Sequence, residues 1–338
     1  MRRLLITGIS GDLGRSFVYY LRKSGEMFFV VGIDTNDTFI HVPETDRKYI
    51  VPPAKDKNYI KVINKIIKKE RIELLIPCSD YEIRVISKNK DKINAKIRLP
   101  KYKTIEIAQD RYKSNKIWEA ADLPVPKSKI IKNEEQLMAN TWLRPRLPIS
   151  GGAKQAIYAQ TEKQAKEWIK KYDGWGNFIM SEYLPGRIYG FDSLWKKGKL
   201  IGYQLKERMK YLSSGTNLVG YGTAIIRTCD NEKIVDTCIQ AILALDKTPD
   251  GCFSVDLREN KEGVACLTEI NAGRFLTTSL WLFAEAGHSL PLRYIDMCFD
   301  KEITHTDPLP PDLYLFSVKG QNPRLLMKNK LEIMEFKS

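Results

Sequence analysis

The sequence predicts an α/β lobe followed by an α+β region, and three observations lead there. Apolar strand-like runs alternate with amphipathic helical stretches through the first hundred residues. That alternation stops at Pro100, and beyond it the strands come largely as hairpin pairs. The first region reads strand LLITG, helix GRSFVYYLRKSG, strand FFVVGID, helix NYIKVINKIIKKE, strand IELLIPCSD, helix YEIRVISKNKDKI and strand KIRLP. Near-continuous apolar strands joined through helices argue for a parallel sheet covered on both faces. In the second region, helix IEIAQDRYKSNKIWEAADL runs into PVPKSKII, whose prolines enforce an extended linker. A helix (NEEQLMANT), a strand (WLRPRL), a glycine loop (ISGGAKQAIYA), a helix (EKQAKEWIKKYDG) and a strand (NFIMSEYL) follow. The stretch YGFDSLWKKGKLIGYQLKER folds as a hairpin at Lys197-Gly198, then comes the long helix DNEKIVDTCIQAILALD, and CFSVDLREN with GVACLTEINAG forms a second hairpin.

The composition excludes several classes. With 338 residues, 43% apolar, the chain buries enough for two or three lobes. No apolar run approaches the roughly 20 residues that cross a bilayer, and MRRLLITG reaches glycine before a signal-peptide core could form, so the expected location is the cytoplasm. The cysteines at 78, 229, 238, 252, 266 and 298 show no CxxC spacing and read as buried, reduced thiols. His41, His288 and His305 are too far apart for an easy metal site or proton relay. The net charge of +14 favours acidic partners and brings nucleic acid into consideration. The lysines, however, alternate with an isoleucine stripe in NYIKVINKIIKKERIE, the pattern of a solvated helix face.

Gly8, Gly11 and Gly14 stand between the first strand and the first helix, with Asp34 ending the second strand. This resembles the dinucleotide fingerprint, in which glycines admit a pyrophosphate to the helix N-terminus and the acid holds a ribose hydroxyl. Tyr112 and Lys116 add the spacing of a dehydrogenase dyad. The tyrosine lies just before the PVP linker, however, with no serine-bearing strand ahead of it, and any tight strand-to-helix junction asks for such glycines.

The stronger chemistry lies in the second hairpin. Glu269 and Asn271 are two apart on a strand and project to one side, and the turn at ENKEG folds Asp256 back across from them. Two carboxylates and an amide oxygen among apolar flanks are hard ligands suited to Mg²⁺.

Together with ITGISGDLG, DTND, YIVPPAKDKNYI, IPCSDYE, QDRYKSNKIWEAADLPVP, WLRPR and SEYLPGRIYGFDSL, this strand pair resembles the ATP-grasp superfamily. The likeness is to carboxylate-amine ligases similar to the large subunit of carbamoyl phosphate synthetase. It implies a Rossmann-like pre-ATP-grasp lobe over 1–108 and a two-lobed ATP-grasp domain over 109–338. The nucleotide-covering lobe would span about 124–184 and the metal-binding lobe about 185–338. It also implies roles. Arg111 reaches the ATP phosphates; Arg144 stands at the lysine of the family's KP motif; Gly151 and Gly152 belong to the loop closing over the phosphates; and the main chain of Glu182, Tyr183 and Leu184 meets adenine. Asp256, Glu269 and Asn271 hold Mg²⁺, or Mn²⁺ in its place, while Lys206, Arg208 and Arg274 hold the transferred phosphate or a substrate carboxylate.

The activity so implied is activation of a carboxylate as an acyl phosphate by ATP, followed by attack of an amine. Its partners are ATP, a small carboxylate and an amine, with no membrane or nucleic acid, and a homodimer is compatible with it. Two departures stand out. Ile188 occupies the place of the acid expected on the ribose hydroxyls, and Ala272-Gly273-Arg274 replaces a proline-arginine pair. An NAD(P)-dependent dehydrogenase or epimerase, and an inactive ATP-grasp-like binding protein, are the alternatives that these features leave open.

Overall fold

The computed structural model describes residues 1–147, 155–214, 220–317 and 323–328. Three sheets organise them. The first is parallel, in the order β3-β2-β1-β4, with β1 at Arg2–Thr7, β2 at Phe28–Asp34, β3 at Arg47–Ile50 and β4 at Leu74–Ile76. Leu4, Leu5 and Ile6 of β1 are fully buried because helices cover both faces, which is why this strand reads as an unbroken apolar run. The helices are α1 (Asp12–Lys23), α2 (Tyr59–Glu70) and α3 (Asp80–Lys88). On α2 the residues Ile63, Ile66 and Ile67 are buried while Lys61, Lys65, Lys68 and Lys69 are exposed, as the isoleucine stripe predicts.

The second sheet is antiparallel, in the order β5-β8-β6-β7, with β5 at Ser128–Ile131, β6 at Thr141–Pro145, β7 at Ile157–Ala159 and β8 at Phe178–Glu182. Helix α6 (Glu162–Lys171) covers it and opens on a capping box between Thr161 and Gln164. This lobe has a core of its own, built from Ile131, Leu143, Ile157, Ala165, Ile169, Phe178 and Met180 among others. The seven-stranded third sheet runs β13-β12-β9-β10-β11-β14-β15. Its strands are β9 (Ile188–Lys196), β10 (Lys199–Ser214), β11 (Gly220–Thr228), β12 (Gly251–Glu259), β13 (Ala265–Ala272), β14 (Leu313–Phe316) and β15 (Arg324–Met327). Lys197 and Gly198, both at positive φ, turn the β9–β10 hairpin where the sequence places it.

The first lobe is fused to the third sheet. One continuous core joins Leu5, Ile83 and Ile86 of the first lobe to Phe253, Ile270 and Ala272 of β12 and β13. Trp118, fully buried in this core, donates from Nε1 to the carbonyl of Ala241 on α7 (Glu232–Leu245) at 3.0 Å. A second shared core sets Phe17, Val18 and Leu21 of α1 against Leu280 and Phe283 of α8 (Thr277–Ala286).

Several elements differ from the sequence reading. The segment KIRLP forms one isolated parallel bridge, Leu74 to Lys96, because Arg98 turns away to Asp250 (2.7 Å) and its carbonyl accepts from Tyr294 (2.9 Å). The long helix before the prolines is two: α4 (Tyr102–Ala108) and α5 (Arg111–Ala120). They part at Asp110, which is extended and caps α5 by accepting from the Lys113 amide. Part of the expected linker is strand β5, and NEEQLMANT yields only a 3₁₀ turn at Glu134–Gln136. The cysteines are all free, five of them buried and Cys229 half-buried. Among the described residues no helix is long and apolar enough to cross a membrane.

The glycine turn is a packing device. A Cβ on Gly14 would lie 2.5 Å from the Gly8 carbonyl oxygen and 2.7 Å from the Ile9 Cα. Gly14→Ala should therefore cost about 1–3 kcal/mol of stability through overpacking. Gly11→Ala, whose Cβ would stand 3.3 Å from the same oxygen, should cost less. Urea unfolding of the two variants checks the ranking.

Candidate active site

The register of β12 on β13 sets the centre of the site. Asp256 pairs with Glu269, Ser254 pairs with Asn271, and a bulge follows Asp256. Opposed residues of antiparallel strands share a face, so Asp256 and Glu269 converge, with Asn271 two residues along the same face. Each is held by a different arginine. Arg208 Nη2 donates to Asp256 Oδ1 at 2.6 Å, and Arg111 grips Glu269 through Nε and Nη2 at 3.2 Å. Arg274 Nη2 donates to Asn271 Oδ1 at 2.6 Å. Burial pushes the Asp256 carboxyl above the ordinary range, with Arg208 opposing and the neighbouring Glu269 charge adding to the rise. Burial acts on Glu269 too, but Arg111, Arg144 and Arg274 outweigh it and hold that carboxyl below its usual value.

Arg144 reaches this centre from β6. Alternation along the strand puts Trp142 and Arg144 on one face. The guanidinium donates from Nη2 to the Thr268 carbonyl at 2.7 Å and lies 3.8 Å from Glu269. Burial, then the adjacent Arg111 charge, push it down to about 10. Its Nε is buried with no hydrogen-bond partner among the described residues. A buried cation beside a second cation with an unused donor is suited to an incoming anion.

Two cavities meet at these side chains. A cleft of about 710 Å³ between the second and third sheets is lined by Trp142, Arg144, Glu182, Tyr183, Leu184, Ile188, Arg208, Asp256 and Arg258, among others. The segment from Glu182 to Leu184 links β8 to β9 and forms one wall. Tyr183 is fixed there, its ring 4.1 Å from that of Tyr158 and its hydroxyl 3.1 Å from Arg258. A larger cavity of about 1220 Å³ runs from the glycine turn to Arg111, Arg144, Arg208, Asp256, Glu269 and Arg274. Trp142, Arg144, Arg208 and Asp256 border both.

The glycine turn thus faces the larger cavity without the freedom a dinucleotide site needs. Asp34 accepts from the Ser10 amide (2.8 Å) through one oxygen and from the Thr35 (2.7 Å) and Asn36 (2.9 Å) amides through the other. The acid that would hold a ribose is committed to its own backbone. Tyr112 and Lys116 border neither cavity, and Lys116 pairs with Glu119 at 2.5 Å. Glu82 lies under the turn, accepting from Thr7, Ser79 and Tyr59 at 2.7 Å each. Burial raises its carboxyl above the usual range.

Of the residues singled out from the sequence, Arg111, Arg144, Arg208, Asp256, Glu269 and Arg274 line the larger cavity together, while Asn271 borders neither cavity and meets the group through its hydrogen bond from Arg274. Glu182, Tyr183 and Leu184 line the cleft, and the Glu182 carboxylate accepts from the Lys127 amide at 3.2 Å. Lys206 is the exception. Its side chain is fully buried and borders neither cavity, because Asp192 takes its charge at 2.6 Å and Ser279 a further hydrogen bond. A strand residue two positions from Arg208 reads as a neighbour in the site, but α8 covers that stretch of the sheet. Gly151 and Gly152 lie outside the described residues. Trp142, Tyr158 and Arg258 escaped the sequence reading; period two from Arg144 and from Asp256 would have found Trp142 and Arg258.

A parallel-sheet lobe, an antiparallel lobe with its own core and a large antiparallel sheet, with the cleft between the last two, define an ATP-grasp fold behind a Rossmann-like lobe. Residues 4–98 match the family described as PylC-like, N-terminal domain. Among solved structures, the chain is similar to the L-amino acid ligase from Bacillus licheniformis: TM-score 0.70, 14% identity, covering 93% of this chain and 79% of that one. The biotin carboxylase domain of Hydrogenobacter thermophilus 2-oxoglutarate carboxylase, in complex with MgADP, ADP and bicarbonate, matches at TM-score 0.69 and 13% identity, covering 93% and 73%. The carboxyaminoimidazole ribonucleotide synthase from Aspergillus clavatus, complexed with ATP, matches at 0.68 and 13%, covering 93% and 81%. A search among curated proteins finds no significant sequence match.

The buried Lys206–Asp192 pair generates a stability prediction. Lys206→Met should cost about 3–5 kcal/mol by leaving a buried carboxylate uncompensated, and adding Asp192→Asn should recover part of the loss. A double-mutant cycle in urea measures the coupling.

Proposed function

We propose that this chain is an ATP- and Mg-dependent ligase joining a carboxylate to an amine. The observation that carries the reading is the meeting of two cavities at Arg144, Arg208 and Asp256. The cleft walled by Glu182 to Leu184 suits the nucleotide, and the cavity reaching the glycine turn suits the other substrates. We take residues 1–108 as the lobe that walls the second cavity and 109–338 as the ATP-grasp domain.

In this reading a carboxylate oxygen attacks the γ-phosphorus and ADP leaves. The amine nitrogen then attacks the acyl carbon of the acyl phosphate, inorganic phosphate leaves, and the amine gives up a proton. The oxygen donors of Asp256, Glu269 and Asn271 fit a hard cation, which would supply charge neutralisation on the phosphate oxygens. Arg111 and Arg144 neutralise phosphate from the side of the second sheet, and Arg208 and Arg274 from the third. Positioning and electrostatics suffice for such a transfer, and no cysteine or histidine nucleophile is called for. The nucleotides named for the carboxylase domain and the synthase support the cofactor assignment.

The test is ADP release with Mg-ATP across a panel of amino acids and other carboxylate and amine pairs. Amine-dependent ADP release is expected from at least one pair. Glu269→Gln should lower that release by about a hundredfold or more while the circular-dichroism spectrum is unchanged. Binding of a nicotinamide dinucleotide without Mg-ATP binding would sink the reading.

Ile188 gives a second expectation. It lines the cleft between its cross-strand neighbours Arg208 and Arg258 and offers no acceptor to a sugar hydroxyl. Ile188→Glu should tighten ATP about tenfold, the worth of a hydrogen bond to a charged group. It should tighten dATP less; equal effects on the two nucleotides, measured by titration calorimetry, would contradict this placement.

A further inference from the structure

We infer that Asp80, contributed by the first lobe, is a positioning residue that fixes the plane of the Arg274 guanidinium and so presents its Nη1 to an oxyanion in the larger cavity. The inference rests on the ligase reading for its meaning in catalysis, but its geometry stands apart from it. Arg274 Nε donates to Asp80 Oδ1 at 2.6 Å and Nη2 donates to Oδ2 at 3.2 Å, a side-on two-point grip. Nη2 also donates to Asn271 Oδ1. Three hydrogen bonds, through Nε and both N–H bonds of Nη2, restrain the rotation of the planar group. Nη1 makes no hydrogen bond among the described residues, and both Arg274 and Asp80 border the cavity.

The backbone beneath is fixed as firmly. Gly273 sits at φ +103°, and its amide donates to the Cys252 carbonyl at 2.8 Å. A Cβ there would meet Ile83 and Leu99 of the first lobe at 3.0 Å. The Arg274 carbonyl accepts from Ser254 at 2.9 Å. With the main chain already anchored and the lobes already sharing a hydrophobic core, an extra ion pair is not required to hold them together.

An aspartate in the wall of a cavity meant for anions repels them unless it does something else. Here it cancels much of the Arg274 charge, so what remains for the ligand is direction: the two N–H bonds of Nη1, held in a fixed plane. A site of that kind selects an oxyanion by geometry and binds it moderately. The substrate carboxylate and the transferred phosphate share that chemistry, and small probes separate them.

The experiment titrates inorganic phosphate and, separately, acetate into the full chain saturated with Mg-ADP, comparing wild type with Asp80→Asn, Asp80→Glu and Arg274→Gln. Arg274→Gln should abolish binding of the probe that this residue holds. Asp80→Asn, which keeps one acceptor oxygen and loses the charge and the second strong bond, should weaken that probe about tenfold, with Mg-ADP affinity and the urea midpoint little moved. Asp80→Glu should restore part of the loss. If phosphate is the probe affected, the arginine serves the transferred group; if acetate, the substrate carboxylate. Probe affinity that is unchanged or tighter in Asp80→Asn, or binding indifferent to Arg274→Gln, would overturn the assignment. Should the wild type release no ADP with any carboxylate and amine pair while probe binding still depends on Asp80, the ligase reading falls and the positioning role stands.

Discussion

The grip of Arg111 on Glu269 is the interaction on which the arrangement of the site depends. Arg111 stands at the start of α5 and reaches in two directions. Its side chain holds both oxygens of Glu269, while its Nη1 donates to the Pro145 carbonyl and its amide to the Arg146 carbonyl, each at 3.1 Å. One residue thus ties the end of β6 to the strand carrying the candidate metal ligands. The tie matters because, among the described residues, the second sheet shares no core with the rest: its buried apolar cluster is drawn from its own lobe. Apart from the links through the chain itself, polar groups set its placement, Arg144 on Thr268 and Arg146 on Asp110 among them. A lobe seated on hydrogen bonds can shift at lower cost than one seated on buried apolar surface.

The first lobe is placed by the opposite physics. Its helices lie in the same cores as β12, β13 and α8, so its wall of the larger cavity is rigid with respect to Glu269. That explains the glycine turn. Gly14 is required by the closeness of α1 to Gly8, and Asp34 and Glu82 brace the surrounding backbone and hydroxyls rather than awaiting a ribose. The motif that most invites a cofactor is a piece of scaffold whose outer face borders a cavity.

Much of this was legible in the sequence because period two and period 3.6 report burial directly. The parallel lobe, both hairpins and the convergence of Asp256, Glu269 and Asn271 follow from alternation alone. What alternation does not carry is the third dimension. Lys206 and Arg208 sit on one face of β10, yet α8 covers the first and leaves the second in the cleft, a consequence of helix docking that no local pattern encodes. The break at Asp110 was hidden for a similar reason. Its cap and its ion pair with Arg146 win over a stretch whose helix propensity is otherwise continuous.

The charges around the two cavities account for how such a site would couple its ligands. Arg111, Arg144, Arg208 and Arg274 face Asp256, Glu269 and Asp80, so four cations meet three anions and the local balance is close to neutral. On the ligase reading, a polyphosphate entering the cleft would compete for Arg208, which holds Asp256, and for Arg144, 3.8 Å from Glu269. Each arginine drawn toward phosphate leaves a carboxylate beside another carboxylate in a partly buried place, which is costly unless a cation joins them. On the ligase reading, nucleotide and metal are then coupled through the arginines: either alone unbalances the site, and the two together restore it. Arg274 differs from the other three in this respect. Its second partner, Asp80, belongs to the rigid first lobe, so it keeps its orientation while the arginines around it exchange partners.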